Sequence, residues 1–315
     1  MEYFPLSFSQ KNILNLEKVF PGTSVANICA TIHMDGDLDF EILKKSLQSV
    51  LKEDRSIHIR LMEKDGEMVQ YHGEYQDENF PIYDFAHASE EGFKQWERAA
   101  AEKPMALDGP LYQFELFRLG EGKGGFMIKL HHLIGDGWST IQLCNKIGSA
   151  YLDLLEGKDV SFAPAPNYED YVDEEGRYLG SKAYKRDEDY WKEILNQGGE
   201  PALLKSISSA QISPVGKRIS FDLPERLNQA IYRFCEAKRV SPFAVFYMAL
   251  ALYLRRTGTA ERFVIGVPIL NRTNYRWKQT TGMFVTTLPF YNEIKEEWTF
   301  HEFNENLRDS YYRKQ

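Results

Sequence analysis

The first half of the chain combines two hydrophobic patterns, one typical of strands and one typical of helices. VANICATIHM places apolar residues at every second position from Ala26 to Met34, which predicts a half-buried strand. After the turn at Asp35-Gly36, apolar residues recur at helical spacing between Ile42 and Leu51, which predicts an amphipathic helix. The same patterns predict further strands at IHIRLME, MVQYH, LYQFELFRL and GGFMIKLHH, and helices over 89–102 and after Asp136-Gly137.

The second half begins with a break in both patterns. EGKDVSFAPAPNY, residues 156–168, has two prolines and no hydrophobic period, which is typical of a connecting segment. We therefore divide the chain into a first subdomain over 1–160, a linker over 161–180 and a second subdomain over 181–315. The second subdomain is predicted to have helices in SKAYKRDEDYWKEILN, after Pro224, after Ser241 and at the end of the chain, and strands in GKRISFDL, RFVIGVPI and GMFVTTLPFY.

The helix after Ser241 has the clearest start signal, a serine able to cap it and a proline in its first turn. Its apolar run, from Pro242 to Leu254, is too short to cross a bilayer and predicts a buried helix. Strands and helices mix along the whole chain without the strict alternation of βαβ units. The sequence therefore predicts an α+β fold in which sheets pack against helices.

Composition excludes several classes of protein. The 315 residues have a net charge of -8 and no basic run, so we expect no nucleic-acid partner. The N-terminus has neither the basic region nor the long apolar region of a secretory signal. Cys29, Cys144 and Cys235 are widely separated and form no CxxC, which favours a reducing compartment over a disulfide framework or a zinc knuckle. We expect a cytoplasmic globular protein that does not enter a membrane.

A formal GxGxxG occurs in GEGKGG, through Gly120, Gly122 and Gly125. A phosphate-binding loop of this kind needs a following helix whose N-terminus faces the anion. Here the glycines join two predicted strands, so the segment is interpreted as a hairpin and not as a nucleotide site.

The segment KLHHLIGDGWS places His131 and His132 at the end of a predicted strand, before Asp136 and Gly137. Consecutive strand residues point to opposite faces, so the two imidazoles do not converge easily on one metal ion. One ring can instead enter a cavity while the other packs, next to backbone N–H groups at the start of the following helix. A neutral base beside oxyanion donors suits acyl transfer. The alternative is that Asp136 only caps the helix and both histidines are core residues.

At this motif the chain resembles the condensation domains of nonribosomal peptide synthetases, which share HHxxxDG with chloramphenicol acetyltransferase-like enzymes. His131, His132, Asp136 and Gly137 fill that motif. Other segments resemble the family's motifs in the family's order: PLSFSQKNIL through Ser7 and Gln10, NYEDYV through Tyr168, Asp170 and Tyr171, and TGMFVTTLPF with Thr286 where asparagine is usual.

The resemblance implies two acetyltransferase-like subdomains in a V-shaped pseudo-dimer, with a tunnel in which two phosphopantetheine-tethered substrates meet. It implies amide formation, in which an amine attacks a thioester, without a metal or a directly bound cofactor. By this resemblance His132 is the catalytic residue, His131 is structural, Asp136 holds the loop, and Gly137 leaves room for substrate.

Acyl or peptidyl carrier proteins would be the partners, with downstream synthetase domains such as an adenylation domain, and the domain would act as a monomer. The family's last motifs have no counterpart before Gln315, so we expect an incomplete second subdomain and a fragment with reduced or no activity. If Met1 is the native start, the donor arrives on a separate molecule, either an acyl-CoA or another carrier.

One departure from the family concerns the partner of Asp136. An arginine after the first long helix typically pairs with the motif aspartate, and the alignment of VLKEDRSIHIRL places His58 at that position. Arg60 lies two residues further along and would share the same strand face. The sequence therefore predicts His58 or Arg60 as the partner of Asp136.

A group of basic residues between 255 and 278 permits two interpretations, of which we favour a solvated face over a contact for a pantetheine phosphate or an acidic carrier helix. The group comprises Arg255, Arg256, Arg262, Arg272, Arg276 and Lys278. Two functions other than the assembly-line condensation also stay open. One is a stand-alone acyl-CoA-dependent acyltransferase, and the other is a catalytically degenerate module that recruits another protein.

Overall fold

The computed structural model describes residues 2–120, 122–196, 200–201, 213–258, 262–295 and 297–312. The chain divides into two compact units. Unit 1 comprises Met1–Ser181 together with Arg272–Val285, and unit 2 comprises Lys182–Asn271 together with Thr286–Gln315. A late segment of the sequence therefore belongs to the first unit, which a division by sequence order alone does not predict.

Unit 1 contains helices and strands in mixed order. They are β1 (Phe4–Pro5), α1 (Phe8–Val19), β2 (Asn27–Met34), α2 (Phe40–Glu53), a 3-10 turn (Arg55–His58), β3 (Ile59–Lys64), β4 (Glu67–His72), β5 (Ile82–Asp84), α3 (Glu90–Glu102), β6 (Tyr112–Gly120), β7 (Lys123–His131), α4 (Gly137–Leu155), α5 (Tyr168–Leu179) and α9 (Tyr275–Lys278).

Unit 2 is more helical in its described residues. Its elements are α6 (Lys182–Asn196), β8 (Glu200–Pro201), α7 (Glu225–Lys238), α8 (Pro242–Thr257), β9 (Arg262–Ile269), β10 (Thr286–Glu293) and α10 (Phe300–Tyr312). Ser241 caps α8 by accepting the N–H of Ala244, and Pro242 lies in the first turn, as the sequence predicts.

Two sheets lie in the described part of unit 1, in the orders β2-β7-β6-β5 and β1-β4-β3. In the first sheet β7 pairs antiparallel with β2 and with β6, so it is a central strand. The hairpin from β6 to β7 contains the GxGxxG glycines, with Gly120 opposite Lys123. The prediction of a hairpin at this segment is confirmed.

The core of unit 1 joins residues from both of its sequence segments. Leu43, Leu47, Ile128 and Leu143 are fully buried between α2, α4 and the four-stranded sheet. Side chains from the late segment extend the same core, since Trp277 and Phe284 are buried in it. Because burial of each large apolar side chain contributes about 1.5–3 kcal/mol, this segment is part of the fold of unit 1 and not a loose connection.

Three sequence predictions about the second half are wrong. The linker over 161–180 contains α5, whose Tyr168 is fully buried in the core of unit 1. GKRISFDL, residues 216–223, forms no strand. The helix α8 is not buried on all sides. Its apolar residues surround the whole helix, but the described core of unit 2 contacts only one of its faces, so the apolar residues on the other faces are exposed. Its exposed residues include Phe243, Phe246, Leu250 and Tyr253.

Among the described helices, none is both long enough and apolar enough to span a bilayer.

Candidate active site

The end of β7 is fixed by backbone hydrogen bonds from both neighbouring strands. The N–H of His131 donates to the carbonyl of Leu111 at 2.8 Å, and the N–H of His132 donates to the carbonyl of Ala26 at 2.8 Å. The chain then turns, and the N–H of Ile134 donates to the carbonyl of His131 at 3.0 Å. The two histidines therefore stand on a rigid strand end, immediately before α4.

His131 is a buried residue with two hydrogen-bond partners. Its side chain is 1% exposed; Nδ1 accepts the N–H of Leu133 at 3.2 Å, and Nε2 lies 3.2 Å from Oε1 of Glu17. Burial and, to a smaller extent, the neighbouring His132 together lower the pKa of His131 from 6.5 to about 4. The ring is therefore neutral near pH 7.

His132 is only half-buried and makes a different contact. Its Nδ1 lies 3.2 Å from the carbonyl oxygen of Gly135, which can only accept, so Nδ1 holds the proton. In the neutral ring the lone pair is then on Nε2. Burial lowers the pKa of His132, while the Gly135 carbonyl and Asp136 act in the opposite direction. The geometry leaves Nε2 as a base near pH 7.

Asp136 is fully buried and both of its carboxylate oxygens are occupied. Oδ1 accepts the N–H of Ser139 at 2.9 Å, which caps α4, and also the hydroxyl of Ser139 at 3.0 Å. Oδ2 accepts the backbone N–H groups of Phe284 at 3.1 Å and Val285 at 3.3 Å. The aspartate therefore ties the start of α4 to the late segment of unit 1.

Arg272 forms a buried ion pair with this carboxylate. Its Nη2 lies 3.1 Å from Oδ1 of Asp136, and both side chains have 0% exposure. The same nitrogen donates to the hydroxyl of Ser139 at 2.8 Å, and the guanidinium lies 3.9 Å from the centre of the Phe284 ring. Burial lowers the pKa of Arg272, and Asp136 opposes that shift. We call Asp136, Ser139, Arg272 and the backbone of 282–285 the Asp136 network.

A second network, built from neutral amides, holds the other side of the turn. Gln10 and Gln70 are fully buried and exchange side-chain hydrogen bonds of 2.8 and 2.9 Å. Nε2 of Gln10 also donates to the carbonyl of Leu133 at 2.7 Å, and Nε2 of Gln70 donates to the carbonyl of Pro5 at 2.8 Å. We call these two glutamines and their backbone partners the Gln10 network.

This sequence and structure match one family. The family model described as the condensation domain matches residues 1–314. The chain belongs to the condensation domain family. Condensation domains are acyltransferases that form amide bonds, and the curated relatives include nonribosomal peptide synthases that match this chain over a small part of their length.

Two curated relatives come from Bacillus subtilis (strain 168). Surfactin synthase subunit 1 is 34% identical over 308 residues, which cover 96% of this chain and 9% of that protein. A dimodular nonribosomal peptide synthase is 26% identical over 317 residues, which cover 98% of this chain and 13% of that protein. The chain thus spans about a tenth of the length of these relatives.

Solved structures show the same fold. The first condensation domain of the CDA synthetase superposes with a TM-score of 0.84 at 21% identity, over 99% of this chain and 75% of that chain. A variant of the starter condensation domain of rhizomide synthetase, in complex with C8-CoA, superposes with a TM-score of 0.86 at 21% identity, over 99% of this chain and 71% of that chain.

In this condensation domain the predicted partners of Asp136 are wrong. His58 ends the 3-10 turn, where its Nε2 lies 2.7 Å from the carbonyl of Leu51. Arg60 donates to the carbonyl of Ile59 at 3.0 Å. The prediction assumed that 58 and 60 share a strand face, but β3 begins only at Ile59, and Arg272 occupies the carboxylate instead.

Arg272 is the residue of the condensation domain site that sequence reasoning missed. It appears in the sequence only as one member of the basic group between 255 and 278, and no local spacing links it to Asp136. Among the other members, Arg276 lies 3.5 Å from Asp170 in unit 1, and Arg262 lies 3.2 Å from Glu293 in unit 2. The group is therefore divided between the two units.

The start of α4 agrees with the sequence prediction in part. Asp136 caps the helix, which the sequence left open as the alternative, and its carboxylate uses the N–H of Ser139, which is then not available to a substrate oxyanion. Gly137 is exposed, and a Cβ added there would meet no atom of the described residues within 4 Å. Within the described residues, no group of three or more His, Cys, Asp or Glu side chains could hold a metal ion.

Proposed function

We propose that this condensation domain transfers an acyl or peptidyl group from a thioester to the amine of a carrier-bound amino acid, with His132 as its catalytic residue. The observation that supports this role most directly is the contact from Nδ1 of His132 to the carbonyl of Gly135. That contact fixes the tautomer whose Nε2 has a free lone pair.

In the proposed reaction, the acceptor amine attacks the carbonyl carbon of the thioester. A C–N bond forms, the C–S bond breaks, and the thiol leaves with one proton. Nε2 of His132 either takes the proton that the amine loses or accepts its N–H as a hydrogen bond, which orients the amine for attack. Both roles need a neutral ring, and burial favours the neutral ring by lowering its pKa.

The remaining motif residues have supporting roles in this proposal. Both carboxylate oxygens of Asp136 are occupied by buried donors, so Asp136 holds the loop and transfers no proton. His131 is structural, because its two ring nitrogens are both used inside the fold. Gly137 is exposed and without a Cβ, which gives a substrate room next to α4.

The test compares wild type with His132→Ala and His132→Gln, using an acyl thioester donor and an aminoacyl-loaded carrier. Product amide is measured by mass spectrometry. We expect both variants to lose about 10²–10⁴-fold in rate, the usual contribution of a general base. Equal, measurable product from wild type and His132→Ala would contradict the catalytic role.

A second candidate concerns the donor. The rhizomide starter domain was solved with C8-CoA, which supports an acyl-CoA as an alternative thioester for this chain. Offering the same acyl group on coenzyme A and on a carrier protein distinguishes the two donors. In either case the substrates are tethered to phosphopantetheine and the domain itself needs no cofactor in this proposal. Carrier proteins and neighbouring synthetase domains are then its partners.

The recruitment module that the sequence leaves open loses one argument in its favour. A histidine at position 58 would be a weak partner for Asp136, but that carboxylate has Arg272 instead. The same assay tests this alternative, since a degenerate module would form no amide from either donor.

A further inference from the structure

The helix α1 presents two polar side chains to the turn that contains His132. Gln10 and Glu17 are seven residues apart, so they lie on the same face of α1, two turns from each other. Gln10 is fully buried, and the side chain of Glu17 is 11% exposed. Gln10 contacts the backbone of the turn directly, whereas Glu17 contacts it through His131.

The ring of His131 can satisfy both of its contacts in only one protonation state. Nδ1 accepts the N–H of Leu133, so it must have a free lone pair. Nε2 then holds the hydrogen and donates it to Oε1 of Glu17. An imidazolium has hydrogens on both nitrogens and could not accept from Leu133, so the contact with Glu17 is a hydrogen bond from a neutral ring and not an ion pair.

Leu133, the residue after His132, has both of its backbone polar groups fixed as a result. Its N–H donates to His131 at 3.2 Å, and its carbonyl accepts from Gln10 at 2.7 Å. The N–H of His132 is fixed to Ala26 at 2.8 Å. The backbone that orients the His132 side chain therefore depends on the tautomer of the neighbouring ring.

We propose that Glu17 is a positioning residue, which holds His131 as its Nε2–H tautomer and thereby fixes the backbone at Leu133 and the orientation of His132. If no acceptor faced Nε2, the ring could place its hydrogen on Nδ1, where it would oppose the N–H of Leu133. The turn would then have to move, and His132 with it. The effect on turnover rests on the proposed function, whereas the tautomer does not.

The test uses the full chain labelled with ¹⁵N at histidine, and the signal of His131 is assigned by its loss in His131→Gln. In wild type near pH 7 we expect a protonated Nε2 and an unprotonated Nδ1. Glu17→Gln retains an acceptor oxygen of the same shape and should show the same tautomer. Glu17→Leu and Glu17→Met remove the acceptor and should show a protonated Nδ1. Lys18→Leu, an exposed neighbour on the same helix, is the matched control.

Two NMR outcomes overturn the proposal. One is a wild-type His131 ring with hydrogen on Nδ1, which needs only the assignment by His131→Gln and holds even if the Glu17 substitutions unfold the protein. The other is an unchanged Nε2–H tautomer in a folded Glu17→Leu or Glu17→Met.

The amide-forming assay gives the second readout. We expect kcat to fall about 10-fold to 100-fold in Glu17→Leu, the usual cost of a misplaced catalytic group, with KM unchanged and with Glu17→Gln close to wild type. A normal kcat in a Glu17→Leu variant with an altered tautomer overturns the positioning role. If instead His132→Ala forms as much amide as wild type, the proposed function fails while the tautomer result stands.

Discussion

The Asp136 network and the Gln10 network hold the two sides of the same turn, but one contains a buried ion pair and the other is neutral. In the first, Asp136 and Arg272 have 0% side-chain exposure and share Ser139 as a third partner. In the second, Gln10 and Gln70 pair through their amides. Both connect residues that are far apart in the sequence, so both contribute to fold as well as to the site.

The difference between the networks lies in what happens when one member is removed. A buried carboxylate without its cation is strongly unfavourable, because water no longer solvates the charge. A buried amide without its partner loses only hydrogen bonds. Nε and Nη1 of Arg272 have no hydrogen-bond partner among the described residues, so the ion pair is itself incompletely compensated. We expect the Asp136 network to be the more sensitive to single substitutions.

The largest expected effect is from Arg272→Ala. Breaking a buried ion pair by removing one partner typically costs about 3–5 kcal/mol of unfolding free energy. Chemical denaturation measures the loss. The matched control is Arg118→Ala, because Arg118 forms an exposed pair with Asp84 at 3.4 Å, and an exposed pair contributes about 0–1 kcal/mol. Equal losses from the two variants would mean that the buried pair contributes no more to stability than an exposed one.

Acidification should destabilise the turn through His131. The partner of His131 is Glu17, which lies on α1 together with Gln10. The pKa of this ring falls from 6.5 to about 4 in the folded protein, so the unfolded chain binds the proton first as pH falls. The contribution of the neutral ring to the free energy of unfolding is therefore fully present above about pH 6.5. It decreases as the pH falls from about 6.5 to about 4, by roughly 3 kcal/mol in total. The raised pKa of Glu17 acts in the opposite direction and offsets part of this loss.

His131→Gln isolates this contribution. Denaturation at several pH values should show a shallower decrease of stability between about pH 6.5 and pH 4 in the variant than in wild type. Parallel curves would mean that His131 does not titrate differently in the folded and unfolded states.

The sequence predicts the elements of unit 1 well because its hydrophobic patterns are local. The alternation from Ala26 to Met34 is β2, and the helix predicted after Asp136-Gly137 is α4. The motif residues His131, His132 and Asp136 also lie close together in space, because they belong to one segment of eleven consecutive residues.

The partner of Asp136 could not be predicted in the same way. Arg272 is 136 residues away, and its contact depends on a return of the chain from unit 2 to unit 1 that no local pattern indicates. The alignment favoured His58 because helix-to-strand boundaries are uncertain by a residue or two. A shift of one residue moves a strand side chain to the opposite face of the sheet. Glu17 was missed for a related reason, since an acidic residue in an amphipathic helix has no signal of its own.

An intermediate effect is expected from Gln70→Leu in the Gln10 network. The substitution leaves part of the buried Gln10 amide without its partner and removes a part-buried hydrogen bond to the carbonyl of Pro5, which costs about 1–3 kcal/mol. Gln95→Leu is the control, because Gln95 is exposed on α3. A loss in Gln70→Leu as large as that in Arg272→Ala would show that charge does not distinguish the two networks.

The smallest effect is expected at Gly137, which directly follows Asp136 at the start of α4. A Cβ added at Gly137 meets nothing within 4 Å among the described residues, and alanine is the better helix former, so Gly137→Ala should raise stability by about 0.4–1 kcal/mol. Gly282, in the Asp136 network, is the contrasting position, because an added Cβ would lie 2.0 Å from the ring of Tyr168. Gly282→Ala should therefore cost about 1–3 kcal/mol through overpacking.

Gly137→Ala separates a role of this glycine in folding from a role in substrate access. If Gly137→Ala is stable but slow in the amide-forming assay, the space at that position is needed by substrate and not by the fold. If it is stable and fully active, neither substrate access nor the fold requires glycine at 137. A destabilised Gly137→Ala would instead mean that the start of α4 is packed more tightly than its exposed position indicates, and the Asp136 network would then extend one residue further along the helix.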